Sequence, residues 1–208
     1  MPGLKAGDRI REAARQLFYR SGIRAVGVDE IVRRARATKP SLYRSFPSKD
    51  ELAAAYLRDW DAAFWGRFEA AAAAHPGEPR AQLRLFLQRL TQRMRQTGYR
   101  GCALTNAAVE YPEAGHPARR VAVAHKRKLR RRLTQMAATM GAAQPRALAD
   151  GLALLLEGAY ASSQLFRGDG PARAVARVAD QLIEASLRGR QGRQARQGRP
   201  GRRARGCR

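Results

Sequence analysis

No run of apolar residues in the 208-residue sequence approaches the roughly 20 that a membrane-spanning helix requires. The chain is short of acid: 17 Asp and Glu face 41 Lys and Arg, a formal charge of +24. Its two cysteines, Cys102 and Cys207, are too few for a disulfide framework or a Cys-rich metal site. The three histidines, His75, His116 and His125, stand apart, with no metal-ligand spacing. A Gly-rich phosphate loop, a nucleophile motif and carboxylates at catalytic spacing are all missing. Nothing here supports an enzyme, a bound metal or a cofactor. The start, Met1-Pro2-Gly3-Leu4-Lys5, reaches charge at once and has no apolar stretch of the signal-peptide kind, so the expectation is a cytoplasmic protein.

What the sequence has in excess is positive charge. That predicts a polyanionic partner, nucleic acid first and an anionic membrane surface second. The excess is uneven. Residues 189–208 hold eight Arg, no acid and no large apolar residue; nothing there can enter a core, and the segment reads as a disordered Arg-rich tail. A second basic run lies between Arg119 and Arg132, inside an acid-free stretch from Glu113 to Asp150. The first fifty residues carry twelve basic and five acidic side chains. With 44% hydrophobic and 28% charged residues, the rest of the chain has the composition of a globular protein of one or two domains.

Apolar spacing predicts helices throughout and no strand, an all-α protein of about nine helices. Ile10, Ala13, Ala14, Leu17 and Phe18 mark the first, with Asp8 as its expected cap and Gly22 as its stop. A short helix follows from Val28 to Ala35. Thr38 caps the next, where Pro40 is tolerated in the first turn and Leu42 and Phe46 face inward. Ser48-Lys49-Asp50-Glu51 reads as a capping box opening a long helix past Trp60, Phe64 and Phe68. After the loop His75–Pro79 come stripes at Leu83–Met94, Ala103–Tyr111, Val121–Met140, Leu148–Ala159 and Val175–Leu187.

The stretch Gly22-x-x-x-Val26-Gly27-Val28-Asp29-Glu30-Ile31-Val32, then Ala35-x-Ala37-Thr38-Lys39-Pro40-Ser41-Leu42-Tyr43-x-x-Phe46-x-Ser48-Lys49-Asp50-Glu51-Leu52, closely resembles the DNA-binding region of TetR-family (TetR/AcrR-like) transcriptional regulators. Gly101-Cys102-Ala103-Leu104, Asn106, Glu110 and His116-Pro117 are similar to one broad subgroup of them. The resemblance implies a helix-turn-helix DNA-binding domain at residues 1–50, with the motif itself at about 27–46, and an effector-binding and dimerisation domain at 51–188. The physical reading agrees, since such a motif needs two short helices, a tight turn and small residues such as Ala35 and Ala37 where the helices cross. One departure matters: the family has Gly at the turn, and this chain has Arg36. If that position is left-handed, Arg is strained by about 1 kcal/mol; alternatively Arg36 reaches a phosphate.

Site roles follow from the resemblance. Thr38, Lys39, Pro40, Ser41 and Arg44 lie on the exposed side of the recognition helix, where they contact the groove and its bases. Tyr43 and Lys49 look like phosphate anchors. Val26 and Gly27 offer backbone amides to a phosphate. An effector pocket between the C-terminal helices would draw on Trp60, Phe64, Phe68, Phe86, Met94, Tyr111, Tyr160 and Phe166, with Asn106, Glu110 and Gln164 as polar contacts; an ordinary core is the alternative. Cys102, at a helix start, is either a reactive thiol or a small buried filler. The stripes Leu148, Leu152, Leu155, Leu156 and Val175, Val178, Leu182 suit a four-helix bundle formed by two copies. The implied function is a dimeric, cytoplasmic, ligand-responsive repressor that binds a pseudo-palindromic double-stranded DNA operator, with a small-molecule effector, no cofactor, no metal and no membrane partner. The rival is a basic architectural or nucleoid-associated DNA-binding protein with little sequence preference, which the tail and the Arg119–Arg132 run favour.

Overall fold

The computed structural model describes residues 5–166 and 169–197. Among them are nine α-helices, one 3-10 turn and no strand. Helix α1 (Ala6–Ser21) starts ahead of the expected cap. Lys5 takes the capping position without a side-chain bond, and Asp8 sits in the first turn, where its charge still suits the helix dipole. The end is as the sequence predicts: Gly22 adopts φ 89° and its N–H donates to the Phe18 carbonyl, a conformation that glycine takes without steric cost.

Helices α2 (Val28–Arg34) and α3 (Lys39–Ser45) follow α1 and pack on it through Ile31 and Leu42, both fully buried. The Thr38 hydroxyl accepts from the Ser41 N–H at 3.4 Å, so the expected cap forms. The turn between α2 and α3 holds Arg36 at φ 48°, the left-handed conformation that the departure from glycine made the question. Arg9 ties this turn to α1, donating to the Ala35 carbonyl at 3.0 Å and the Arg36 carbonyl at 3.1 Å. Arg36→Gly is therefore expected to stabilise the fold by up to about 1 kcal/mol in urea unfolding; a loss of stability would refute the strain account.

Helix α4 (Lys49–Ala73) opens on Ser48, whose hydroxyl accepts from the Glu51 N–H at 3.1 Å. It belongs to both halves of the chain. Residues Leu52 to Leu57 are buried on every side, packed among α1 and the helices beyond. Further along, Phe64, Trp65 and Phe68 enter the core of the second domain. That domain is completed by α5 (Pro79–Met94), α6 (Ala103–Glu110), α7 (Pro117–Thr139), α8 (Pro145–Phe166) and, after a 3-10 turn at Pro171–Ala174, α9 (Val175–Gln197). Arg80 and Arg84 of α5 grip Asp180 of α9 at 3.1 and 2.8 Å. Arg130 and Lys126 of α7 pair with Asp150 and Glu157 of α8.

Two expectations change. Helix α9 continues through residues 189–197, where the sequence predicts disorder. Arg, Gln and Ala are good helix formers, and an existing helix extends without a new nucleation cost. The remainder of the Arg-rich segment, 198–208, and its expected contribution to DNA binding lie outside the described residues. The basic run on α7 is also partly engaged by the protein itself. Arg119 donates to the Ala108 and Tyr111 carbonyls at 2.8 and 3.2 Å, completing the end of α6. Lys128 lies 4.1 Å from the centre of the Trp65 ring, and Arg132 faces Glu69 at 3.5 Å. Arg120, Arg127, Lys128, Arg130 and Arg131 stay exposed, so the support that the run lends the architectural rival is reduced and not removed.

Candidate DNA-binding surface and effector cleft

The recognition helix α3 offers an outward face of Thr38, Lys39, Pro40, Tyr43 and Arg44, all exposed, with Ser41 half-buried between them. Leu42 points the opposite way into the core. The polar atoms of this face are already organised. Thr38 and Ser41 hydroxyls meet at 3.0 Å, and Arg44 donates to the Ser41 hydroxyl at 3.2 Å. Lys39 pairs with Asp29 of α2 at 2.7 Å; an exposed pair of this kind is worth little and opens readily to a phosphate. Tyr43 is 49% exposed, free to reach a backbone. Gly27 is exposed, while the Val26 side chain is buried, leaving only its main chain for such a contact. Lys49 is only half-exposed: its ammonium donates to the Arg24 carbonyl at 3.3 Å, and burial pulls it below the usual lysine range.

The expected pocket residues do not come together in one place. Trp60, Phe64, Phe86 and Tyr160 do line a cavity, of about 100 Å³, between α4, α5 and α8. Asn106, Glu110 and Gln164 line a different one against α1. Phe68, Met94 and Cys102 are packed into the core, because neighbouring helices cover that side of their stripes. Cys102 lies 3.6 Å from the Lys126 ammonium. Tyr111 stacks flat on His116 at 3.8 Å and lines none of these cavities, and Phe166, at the end of α8, is 53% exposed.

The 100 Å³ cavity is the inner part of a larger cleft. Trp60, Arg67, Arg93 and Tyr99 border both it and an outer cavity of about 270 Å³. The outer wall adds Tyr56 and Asp59 of α4 and, from the head, Arg15 and Tyr19 of α1. Sequence reasoning missed Tyr19, Tyr56, Arg67, Arg93 and Tyr99. A signal existed: Tyr56, Trp60 and Arg67 share one face of α4, and an arginine interrupting an aromatic stripe marks a place where the stripe is not simply core. Beside the cleft, Phe64 makes edge-on contacts with Phe86 at 5.3 Å and His125 at 4.7 Å. Burial outweighs the adjoining Asp61 carboxylate and draws His125 below the usual histidine range.

The head is latched to the second domain beside this cleft. The Tyr19 hydroxyl accepts from the Arg100 N–H at 2.9 Å. The Glu110 carboxylate accepts from the Arg24 N–H at 2.8 Å, and its carbonyl accepts from the Arg24 guanidinium at 3.0 Å. Glu110 therefore acts first as a tie between the domains.

The expected bundle face needs correction. Leu148, Leu152, Leu156 and Val175 are buried within the protomer, none more than 6% exposed, because α7 and α9 cover that side of α8. Leu155 and Val178 are half-buried and Leu182 is exposed. The outward stripe of α8 is offset by one position and reads Gly151, Leu154, Leu155, Gly158 and Leu165. Leu154 is 72% and Leu165 77% exposed, and the Leu182 side chain of α9 reaches to the edge of Gly151.

Among the described residues no helix is long and apolar enough to cross a membrane, and no group of three His, Cys, Asp or Glu is placed to hold a metal. Residues 10–56 match the profile of the bacterial regulatory proteins of the tetR family. The transcriptional regulator AcuR from Cereibacter sphaeroides is 31% identical over 106 residues, a match spanning 50% of this chain and 48% of that relative. The crystal structure of regulatory protein TetR from Rhodobacter sphaeroides superposes with a TM-score of 0.74 at 26% identity, covering 85% of this chain and 98% of that one. SCO4454 from Streptomyces coelicolor, a TetR-family transcriptional regulator, superposes with a TM-score of 0.78 at 33% identity, covering 88% of this chain and 95% of its own. With 33% identity to SCO4454 over 88% of its residues, and the family profile matched at its head, the chain belongs to the TetR family of transcriptional regulators.

Proposed function

We propose that the chain is a ligand-responsive repressor that binds a pseudo-palindromic operator as a homodimer, with α3 in the major groove. The observation that carries this reading is the composition of the cleft wall. Arg15 and Tyr19 belong to the DNA-binding head, while Trp60, Arg67 and Arg93 belong to the second domain. A molecule in the cleft touches both, so its affinity depends on how the head is set. That is the requirement for coupling two sites: a difference in ligand affinity between two conformations. The apolar face of Leu154, Leu165 and Leu182 supports self-association, since soluble monomers rarely expose such a stripe. A two-fold axis then presents two copies of α3 to two half-sites.

The test is selection of bound genomic fragments by the purified protein, followed by competition with random DNA. A recovered pseudo-palindrome bound well above random sequence is expected; equal affinity for both would overturn the reading in favour of an unspecific basic binder. On the recovered operator, Tyr43→Phe is expected to weaken binding about 3- to 10-fold through loss of one hydrogen bond to a charged group. Lys49→Ala should flatten the log–log salt dependence by roughly 0.9. Both effects should appear on random DNA too, because phosphate contacts position without specifying. A change of base preference at full affinity would show that neither is a backbone anchor.

A further inference from the structure

The cleft carries more information than its existence. Tyr160, from α8, is 3% exposed, and its hydroxyl has no hydrogen-bond partner within the described residues, yet it borders the inner compartment. A buried hydroxyl left unpaired is costly, and this one belongs to a residue of the cleft wall. Burial holds the phenol well above its usual range, so it stays a neutral donor. At the junction of the two compartments stand Arg67 and Arg93, neither in an ion pair with an acid within the described residues. Burial pulls the Arg67 guanidinium down, and the neighbouring positive charge of Arg93 pulls it further. The carboxylate on the wall, Asp59, is already engaged by Arg11, and Arg15 by Glu12. The junction therefore holds two cations and a hydroxyl with no anion between them, beside an inner space walled by Trp60, Phe64, Phe86 and Leu90, with the exposed Arg89 adding a third positive charge to its border.

We propose that the cleft takes a small monocarboxylate with an aromatic or aliphatic body, its carboxylate held by Arg67 and Arg93 with a hydrogen bond from the Tyr160 hydroxyl. Guanidinium groups match a carboxylate with paired N–H donors, and such charge-assisted bonds are the strong ones. The body fits the inner wall: apolar cavities of this order hold a ring-sized guest. A cationic ligand meets two like charges, and a neutral one leaves the guanidinium groups desolvated without compensation. This assignment rests on reading the cleft as the effector pocket.

The probes are 3-phenylpropanoate and hexanoate, compared with 3-phenylpropanamide and 3-phenylpropylamine, titrated calorimetrically into the full chain without DNA. At least one acid is expected to bind saturably, and its neutral and cationic counterparts at least about tenfold more weakly. Arg67→Gln and Arg93→Gln should each weaken the acid roughly 10- to 100-fold, with Arg67→Lys retaining part of the affinity. Tyr160→Phe gives a crossed signature: weaker acid binding by about fivefold, yet an unliganded melting temperature raised by about 2–4 °C, because the unpaired hydroxyl is gone. A residue that merely holds the fold would lower both. Absence of binding by both acids, equal binding of acid and amide, or unchanged acid affinity in the Arg variants overturns the assignment. An acid that binds as described but leaves operator affinity unchanged supports the ligand class and refutes the effector reading instead.

Discussion

Leu154→Asp combined with Leu182→Asp is expected to give a monomer of about 23 kDa in sedimentation velocity, with helix content intact and operator affinity reduced by about two orders of magnitude or more. Both side chains point outward, at 72% and 37% exposure, so the new carboxylates stay solvated in the monomer and cost its fold little. In a dimer the same carboxylates would be buried without partners, a penalty of several kcal/mol per ion. Losing the dimer removes the second recognition helix, and simultaneous engagement of two sites is worth roughly 10²–10⁴ in affinity. The contrast with Leu156→Asp is informative. Leu156 is 2% exposed inside the protomer, and a charge there should unfold the chain rather than divide a dimer. A double variant that still sediments as a dimer would move the interface elsewhere.

Phe64→Ala is expected to cost about 3–5 kcal/mol of stability in chemical denaturation. Phe64 is one of the largest fully buried side chains, and its ring meets Trp65 and Phe86, both at 5.3 Å, and His125 at 4.7 Å. Geometrically specific ring pairs add to the area term. The truncation also opens into the 100 Å³ compartment that Phe64 already borders. The loss thus joins an existing void, and the neighbours, held by α5 and α7, have little room to collapse into it. A cost below about 1 kcal/mol would mean that the aromatic cluster repacks freely, and the inner wall would lose its claim to a defined shape.

The head was legible because its determinants are local. Thr38 and Ser48 each cap a helix through a hydroxyl that accepts from an amide three residues on, a relation that spacing alone displays. Gly22 at φ 89° and Arg36 at φ 48° follow from where the helices must stop. The second domain was read less well, because there the deciding facts are which neighbour covers which face. Helix α8 has leucines on both sides, and periodicity cannot say that Leu148, Leu152 and Leu156 go to α7 and α9 while Leu154 and Leu165 stay outside. Phe68 and Met94 sit on the same kinds of stripe as Phe64 and Phe86, yet only the latter reach the cleft. Arg67 and Arg93 were overlooked because a charged residue on a helix is ordinarily a solvated one. Only the fold reveals that these two converge on a compartment with an unpaired hydroxyl. Asp8 was misplaced by a single turn, since Lys5 closes the helix start with backbone bonds from Asp8 and Arg9 to its carbonyl.

The share of the cleft wall that comes from α1 has a consequence for dose and response. Arg15 and Tyr19 line the cleft and also belong to the DNA-binding head. Whatever preference a guest has for one setting of α1, duplex DNA that fixes α1 must alter the guest's affinity by the same factor, since linkage between two binding equilibria is reciprocal. If a saturating guest weakens operator binding tenfold, about 1.4 kcal/mol, then the chain seated on its operator binds that guest tenfold less tightly than the free chain. For a ligand-responsive repressor of the proposed kind, the concentration at which the gene responds would therefore not be a property of the cleft alone. It rises with operator occupancy, so chains free in solution fill before those on DNA, and surplus protein buffers the signal.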